Sequence, residues 1–349
     1  MDLKRNKWKI VGLTVVILLV LAGVFIANQI GPYDKNNKED IIVEIPSGSG
    51  VSTISNILYE NKLIKNKDIF KVYVKLSKKA PSIKAGTYLL NQTYSNGEIV
   101  DLLVSGKIHH VGVKITIPEG STYKEVINIL VKNNIGTKEN YEALIKKPSE
   151  FYDKFEFLKA DDITSLEGFL YPETYFIDEK ASEKEVLTIM LAGFNSVYTD
   201  EVKAKVKESG RTLQQIVNLA SIVEKEAVLD VDRPTIASVF YNRLEIGMPL
   251  QSDATIQYIF EERKKIVTYA DLEIDSPYNS YKNKGLPPTP IASPGIKSIE
   301  ATLNPDKTNY LYFVAKMNGG NNYSETYDQH LKFVQEYKTE RDKLNKENK

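Results

Sequence analysis

Residues 41–64, IIVEIPSGSGVSTISNILYENKLI, open with a run rich in β-branched residues, turn at Pro46–Gly48 and continue with apolar residues at helical spacing. Seventy-two positions later, KITIPEGSTYKEVINILVKNNI (114–135) repeats the plan. Ile45-Pro46 corresponds to Ile117-Pro118, Gly48 to Gly120, and Ile54, Ile57, Leu58 and Asn61 to Val126, Ile129, Leu130 and Asn133. The i, i+3, i+4 spacing in both copies predicts a strand followed by an amphipathic helix. Two copies are too few to stack into a solenoid, so they read as a pair of compact α+β units.

The first copy closes with IKAGTYLLNQTYSNGEIVDLLVSGK (83–107), an alternating strand at GTYLL and a helix begun at Ser95 or Asn96. Its architecture looks like a LysM-type domain, a module that grips the glycan of bacterial cell walls. A spacer that holds the rest of the chain off a membrane fits the same residues, and both readings stay open.

Ahead of the repeats, IVGLTVVILLVLAGVFIA (10–27) carries no charged residue. About 20 apolar residues cross a bilayer core, a length reached by continuing through Asn28, Gln29 and Ile30. A cleaved signal peptide has an apolar region of roughly 7 to 15 residues ending in a small-x-small site. Phe25 and Ala27 make a poor cleavage pair, so a retained anchor is expected. Lys4, Arg5, Lys7 and Lys9 precede the span, while Asp34, Lys35, Lys38, Glu39 and Asp40 follow it with mixed sign. The positive-inside rule then leaves a short cytoplasmic N-terminus and puts everything after residue 30 outside the cell. GPYDKNNKED (31–40) reads as a linker off the membrane.

With 349 residues, 42% hydrophobic and 26% charged, the chain has room for two or three domains and a sizeable core. Forty-six basic residues balance 46 acidic ones, so no global charge draws it to nucleic acid. There is no cysteine, which removes disulfides, thiolate nucleophiles and sulfur-ligated metal. Of three histidines, His109 and His110 are adjacent, pointing to opposite faces if on a strand, and His330 is distant. No metal site and no cofactor are expected.

LEGFLYPETYFI (166–177) combines a glycine with aromatics, suggesting a surface loop able to stack on a ring, or local core packing. A helical stretch follows from about Ser182 to Ser209. TLQQIVNLASIVEKEAV (212–228) then starts with Thr212 as N-cap and sets Leu213, Ile216, Val217, Ala220, Val223 and Ala227 on one stripe. At 100° per residue Glu224 falls inside that stripe, and Glu226 falls on a second face beside Leu219 and Ile222. Lys225 points toward Asn218 and Ser221. A carboxyl buried without a cationic partner has its pKa raised and can hold a proton near neutral pH, as a general acid must. A structural ion pair with Arg233 or Arg243 is the competing fate.

Downstream, DVDRPTIASVFYNRLEIGMPLQSDATIQY (230–258) has an apolar helix ending at Gly247 and a loop where Gln251, Ser252, Asp253 and Thr255 crowd together. SPYNSYKNKGLPPTPIASPG (276–295) adds Tyr278, Asn279, Tyr281 and a rigid proline-rich segment. Aromatic faces, amides and hydroxyls beside a buried acid equip a carbohydrate cleft. The same residue types also serve as turn chemistry.

ASIVEKEA, ASVFYNRLEIGMPLQSDATIQY, SPYNSYKNKGLPPTPIASPG and the upstream LEGFLYPETY strongly resemble the endolytic murein transglycosylase family, the MltG or YceG type. The similarity extends over about residues 40–335. The resemblance implies a lytic transglycosylase that cuts nascent peptidoglycan strands at the bond from N-acetylmuramic acid to N-acetylglucosamine, leaving 1,6-anhydro ends. The essential glutamate carried onto ASIVEKEA is Glu226, whereas the helical wheel alone favours Glu224 as the more deeply buried. Glu224 is therefore given a supporting role. By resemblance Asn242, Arg243, Gln251, Asp253, Thr255, Tyr278, Asn279 and Tyr281 are cleft residues, each with a structural reading beside it. Partners so implied are peptidoglycan strands, the membrane through one N-terminal helix, and cell-wall synthesis proteins.

The expected architecture is thus α+β: cytoplasmic N-terminus 1–9, transmembrane helix 10–30, linker 31–40, LysM-like α+β module 41–110, second small α+β module 111–180, mixed α/β catalytic domain 181–340 and charged tail 341–349. TNYLYFVAKMNGGNNYSETYDQHLKF and the residues after it predict a last strand, a Gly-Asn-rich turn and a charged helix, with His330 in a structural hydrogen bond. A hydrolytic muramidase and a non-catalytic, membrane-tethered wall-binding scaffold are the rival functions.

Overall fold

The computed structural model describes residues 2–107, 112–160 and 162–347; His109 and His110 lie outside the described residues. The chain divides into two compact units, Met1–Val111 and Gly112–Lys349.

The first unit begins with α1 (Asp2–Ile30). Its stretch Val11–Ile30 has a mean hydropathy of 2.6 and no buried part, and its length and composition suffice to cross a membrane. Then come β1 (Asp40–Ile45), α2 (Val51–Glu60), α3 (Lys67–Ser77), β2 (Gly86–Asn91) and α4 (Asn96–Ser105). β1 and β2 pair antiparallel, with Asp40 opposite Asn91 and Ile45 opposite Gly86. Their alternation turns Val43, Ile45, Tyr88 and Leu90 onto Ile54, Leu58, Phe70 and Leu103 of the helices. At the start of α4, Ser95 and Glu98 form a capping box that satisfies two otherwise orphaned backbone donors.

The second unit repeats the order with β3 (Val113–Thr116), α5 (Tyr123–Lys132), α6 (Lys138–Ile145) and β4 (Thr174–Ile177). β3 and β4 again pair antiparallel, Val113 opposite Ile177. The turns ahead of α2 and α5 place Gly48 and Gly120 at φ 77° and 74°, a left-handed conformation that glycine adopts without a Cβ clash.

The described residues between 112 and 180 share their core with later helices. Ile115, Ile127, Leu130, Phe169 and Leu170 share one core with Leu187, Met190 and Phe194 and with Ile216, Val217 and Ala220 of later helices. In the first unit Ile99, Val100 and Leu103 of α4 close the core, whereas here the side chains that close it come from helices beyond residue 180. LEGFLYPETYFI is core rather than surface loop: Leu166, Phe169 and Leu170 are inaccessible, and Phe169 meets Phe194 edge-on at 5.1 Å.

The helical stretch expected over 182–209 is two helices, α7 (Glu183–Val197) and α8 (Asp200–Glu208). Ser182 caps the first, and Thr199 caps the second by accepting from the Val202 amide. After them come α9 (Leu213–Glu226), α10 (Arg233–Glu245), α11 (Asp253–Ile259), α12 (Ile296–Leu303), β5 (Tyr312–Ala315), β6 (Asn321–Ser324) and α13 (Tyr327–Glu347). Where one final strand is expected there are two, because the turn at residues 316–320 folds β6 back on β5. His330 stacks on Tyr312 at 5.3 Å, and its buried Nδ1 has no hydrogen-bond partner among the described residues.

α9 lies between two cores. Ile216, Val217 and Ala220 face the first, while Leu219, Ile222 and Val223 face a second one built with Ile236, Phe240, Leu250 and Ile291. A helix covered on both sides is apolar nearly all round. Any charged side chain on it needs an opening or a partner.

Candidate active site

Thr212 and Gln215 close a capping box at the start of α9, fixing where the helix begins. It ends at Glu226, and Ala227 is extended. Glu224 and Glu226 thus sit in the last turn, where the carbonyl end of the helix dipole opposes negative charge.

The two carboxyls have different partners. Glu224 Oε1 lies 3.2 Å from the Arg233 guanidinium, and both side chains are nearly inaccessible, 7% and 8% exposed. Its Oε2 accepts from the Gly295 amide at 3.0 Å and the Ser298 hydroxyl at 2.8 Å. Glu224 is an ion-paired carboxylate with its lone pairs engaged.

No guanidinium pairs with Glu226 among the described residues. Its Oε1 accepts from the Ser252 hydroxyl at 2.5 Å, and the Ala254 amide at the start of α11 favours the charged form of the same carboxyl. Burial pushes the Glu226 pKa up, with the nearby negative charge of Asp253 adding to the rise. The Ser252 bond, the Ala254 amide and the charge of Arg243 oppose it, and burial prevails.

Both glutamates open onto a cleft of about 630 Å³, a size that takes a small ligand or a short run of sugars. One part of its lining is the β3–α5 turn and α5, with Glu119, Gly120, Lys124, Glu125 and Asn128. Another is α11 and the loop after it, with Asp253, Gln257, Tyr258, Arg263 and Lys265. Gly120 seats the turn against α9: its amide donates to Ser293 and its carbonyl accepts from Lys225 Nζ at 2.9 Å. The Pro-Gly turn of the second repeat has become a wall of the cleft. Among the described residues no group of three or more His, Cys, Asp or Glu is arranged to hold a metal.

Of the residues that the sequence nominates, the cleft lining contains Glu226, Glu224 and Asp253. Asp253 accepts from the Tyr281 hydroxyl at 2.6 Å, which brings Tyr281 to the same corner. The other nominees have internal partners. Asn242 donates to the carbonyls of Thr308 and Tyr310, each at 2.9 Å. Arg243, 7% exposed, donates to the Leu250 and Leu311 carbonyls at 2.6 Å, bracing the loop that leads into α11. Thr255 bonds to Ser252 and Ser280, and Asn279 donates to the Leu272 and Ile274 carbonyls. Tyr278 bonds to Thr289 and packs on Tyr258. Gln251 is exposed at φ 51°, its amide donating to the Ser280 carbonyl.

The YceG-like family matches residues 43–336, most of the chain and the whole of the cleft. The chain belongs to the YceG-like family. It is 38% identical over 334 residues to the endolytic murein transglycosylase of Bacillus subtilis, covering 91% of each sequence. It is 34% identical over 326 residues to the Streptococcus pneumoniae protein of the same name, covering 86% of this chain and 58% of that relative. Among solved structures it is similar to a YceG-like protein from Listeria monocytogenes, with a TM-score of 0.59 and 36% identity over 85% of this chain and 99% of that one.

Two parts of this YceG-like cleft escape a reading of the sequence. Ser252, the hydrogen-bond donor to Glu226, stands among other turn-formers with nothing local to single it out. The α5 wall comes from a segment that reads as part of a separate module. Its one signal is the Pro-x-Gly turn, Pro118–Gly120, shared with Pro46–Gly48 of the first repeat.

Proposed function

We propose that this YceG-like protein is an endolytic lytic transglycosylase of peptidoglycan, anchored in the membrane by α1, with Glu226 as its acid and then its base. One observation carries the reading. Of two glutamates in one helical turn, Glu224 is neutralised by Arg233, while Glu226 faces the cleft with a raised pKa and a hydroxyl partner. The names of the Bacillus and Streptococcus relatives support the same substrate class.

In this reading the protonated Glu226 gives its hydrogen to the oxygen joining N-acetylmuramic acid to N-acetylglucosamine. The C1–O bond breaks, and the C6 hydroxyl oxygen of the same muramic residue bonds to C1. Its proton passes to the Glu226 carboxylate, restoring the acid. The nucleophile belongs to the substrate, so no enzyme carboxylate has to attack C1, as one does in retaining glycosidases. Asp253 and Tyr281 lie where they can orient the sugar or help the positive charge that develops at C1.

The position of Asp253 beside Glu226 also favours a second reading, hydrolysis, with Asp253 drawing a proton from water. Mass spectrometry of muropeptides released from purified strands decides between them. Ring closure gives products lighter by one water than hydrolysis does. A scaffold without activity gives no new chain ends.

Two finer elements belong to the proposal. Lys4, Arg5, Lys7 and Lys9, ahead of the apolar stretch of α1, orient the units that follow it outward, where the wall is. The strand–helix–helix–strand order of residues 40–91 supports a LysM-like, glycan-gripping role for the first unit. Binding of catalytically silent full-length protein to sacculi, compared with protein lacking residues 40–107, tests that role.

A further inference from the structure

Glu167 lies in the core beneath the cleft, 1% exposed, with no ion-pair partner among the described residues. The Tyr123 amide donates to both of its oxygens at 3.1 Å, the Gly168 amide to Oε1 at 3.2 Å and the Tyr258 hydroxyl to Oε2 at 3.0 Å. Tyr123 is the first residue of α5, the helix that carries Lys124, Glu125 and Asn128 into the cleft lining. Tyr258 is on α11, which carries Asp253 and Ala254 beside Glu226. Binding the Tyr123 amide is ordinary service to the orphan donors of a helix start. The Tyr258 bond is not part of that service, because it ties the cap of α5 to a different element.

We propose that Glu167 is a positioning residue that latches α5 to α11 and so fixes where Asp253 and the Ala254 amide stand against Glu226. The inference rests on the transglycosylase reading above. Gly168 holds the latch in place: at φ 87° it packs so closely that a Cβ would lie 2.6 Å from Pro290 and 3.0 Å from Val217 of α9. The Tyr258 ring is itself fixed by Tyr278, 4.9 Å away.

The ionised carboxylate accepts every one of these bonds, whereas the protonated acid has to turn one contact from acceptor to donor. The groups facing Glu167 are Tyr123 and Glu125 from α5 and Tyr258 from α11, with Tyr278 beyond the Tyr258 ring. Burial raises the carboxyl to about 7, Glu125 adding to the rise and the hydrogen bonds opposing it. The latch is complete on the alkaline side of that value.

The test is the rate of strand cleavage by the full-length enzyme across pH, below the melting temperature of each variant. Wild type is compared with Tyr258→Phe, Glu167→Gln and the double variant. Tyr258→Phe keeps the ring and removes the hydroxyl, so kcat/KM falls roughly tenfold while the melting temperature changes little. Its acid-side limb moves to higher pH, because the lost bond favoured the ionised form. Glu167→Gln, which does not titrate, loses that limb, and the double variant is no worse than Glu167→Gln alone. If Glu167→Gln does not fold, Tyr258→Phe alone decides. A Tyr258→Phe enzyme with wild-type kcat/KM and pH profile overturns the latch and leaves Glu167 a helix cap. A wild-type enzyme that fails to cleave strands overturns the transglycosylase reading, and the latch with it.

Discussion

Glu224 and Glu226 are two residues apart, and their surroundings give them opposite chemistry. Replacing Glu224 with Gln strands the buried Arg233 with less compensating charge, at a cost on the order of 3 kcal/mol. Thermal unfolding reads this as a clear drop in melting temperature. Glu226→Gln has the opposite sign. The folded pKa of Glu226 lies above its unfolded value near 4.5, so its contribution to stability is present below that value and is lost as pH rises through the folded pKa. The Gln variant escapes that loss. Denaturant titrations should therefore show the two proteins diverging with rising pH, the variant being the more stable at the alkaline end. With Glu226 as the proposed acid the same direction governs activity, because that acid must be protonated to act: the rate is expected to fall on the alkaline side as Glu226 ionises.

At the scale of elements, α9 shows what a sequence reveals and what it conceals. Its start at Thr212, the stripe through Ile216, Val217 and Ala220 and the second face at Leu219 and Ile222 are readable from local chemistry and spacing, as are the capped starts at Ser95 and Ser182. The 72-residue repeat likewise predicts β1–α2 and β3–α5. Helical periodicity ranks Glu224 above Glu226 in burial, but it cannot tell which carboxyl meets Arg233, since that pairing depends on how α10 and α12 fold back against α9. Aromatic and amide residues such as Asn242, Tyr278 and Asn279 look alike in sequence whether they line a sugar site or brace a loop, and here their amides and hydroxyls bind neighbouring protein groups. LEGFLYPETYFI is similarly ambiguous, because a core plug and a stacking loop have the same composition. Its tight fit gives a stability prediction. Gly168→Ala sets a Cβ against Pro290 and a non-glycine residue at φ 87°, costing about 3 kcal/mol or more by thermal unfolding.

At the scale of the whole chain, the cleft is lined entirely by residues of the second unit, between Glu119 and Ile291. A fragment covering residues 112–349 is therefore expected to cleave isolated strands in solution at a rate comparable with the full-length enzyme. Full-length protein is expected in the membrane fraction and a form lacking residues 1–30 in the soluble fraction, because the Val11–Ile30 stretch of α1 carries no charge and is long and apolar enough to cross a membrane. Cell fractionation measures this directly.

The proposed chemistry depends on one hydrogen held by Glu226. The direct measurement is the initial rate at which purified, correctly folded Glu226→Gln and Glu224→Gln proteins release muropeptides from peptidoglycan strands, beside wild type. The account predicts no detectable release by the first variant and residual release by the second below its lowered melting temperature. Release at the wild-type rate by Glu226→Gln would contradict it.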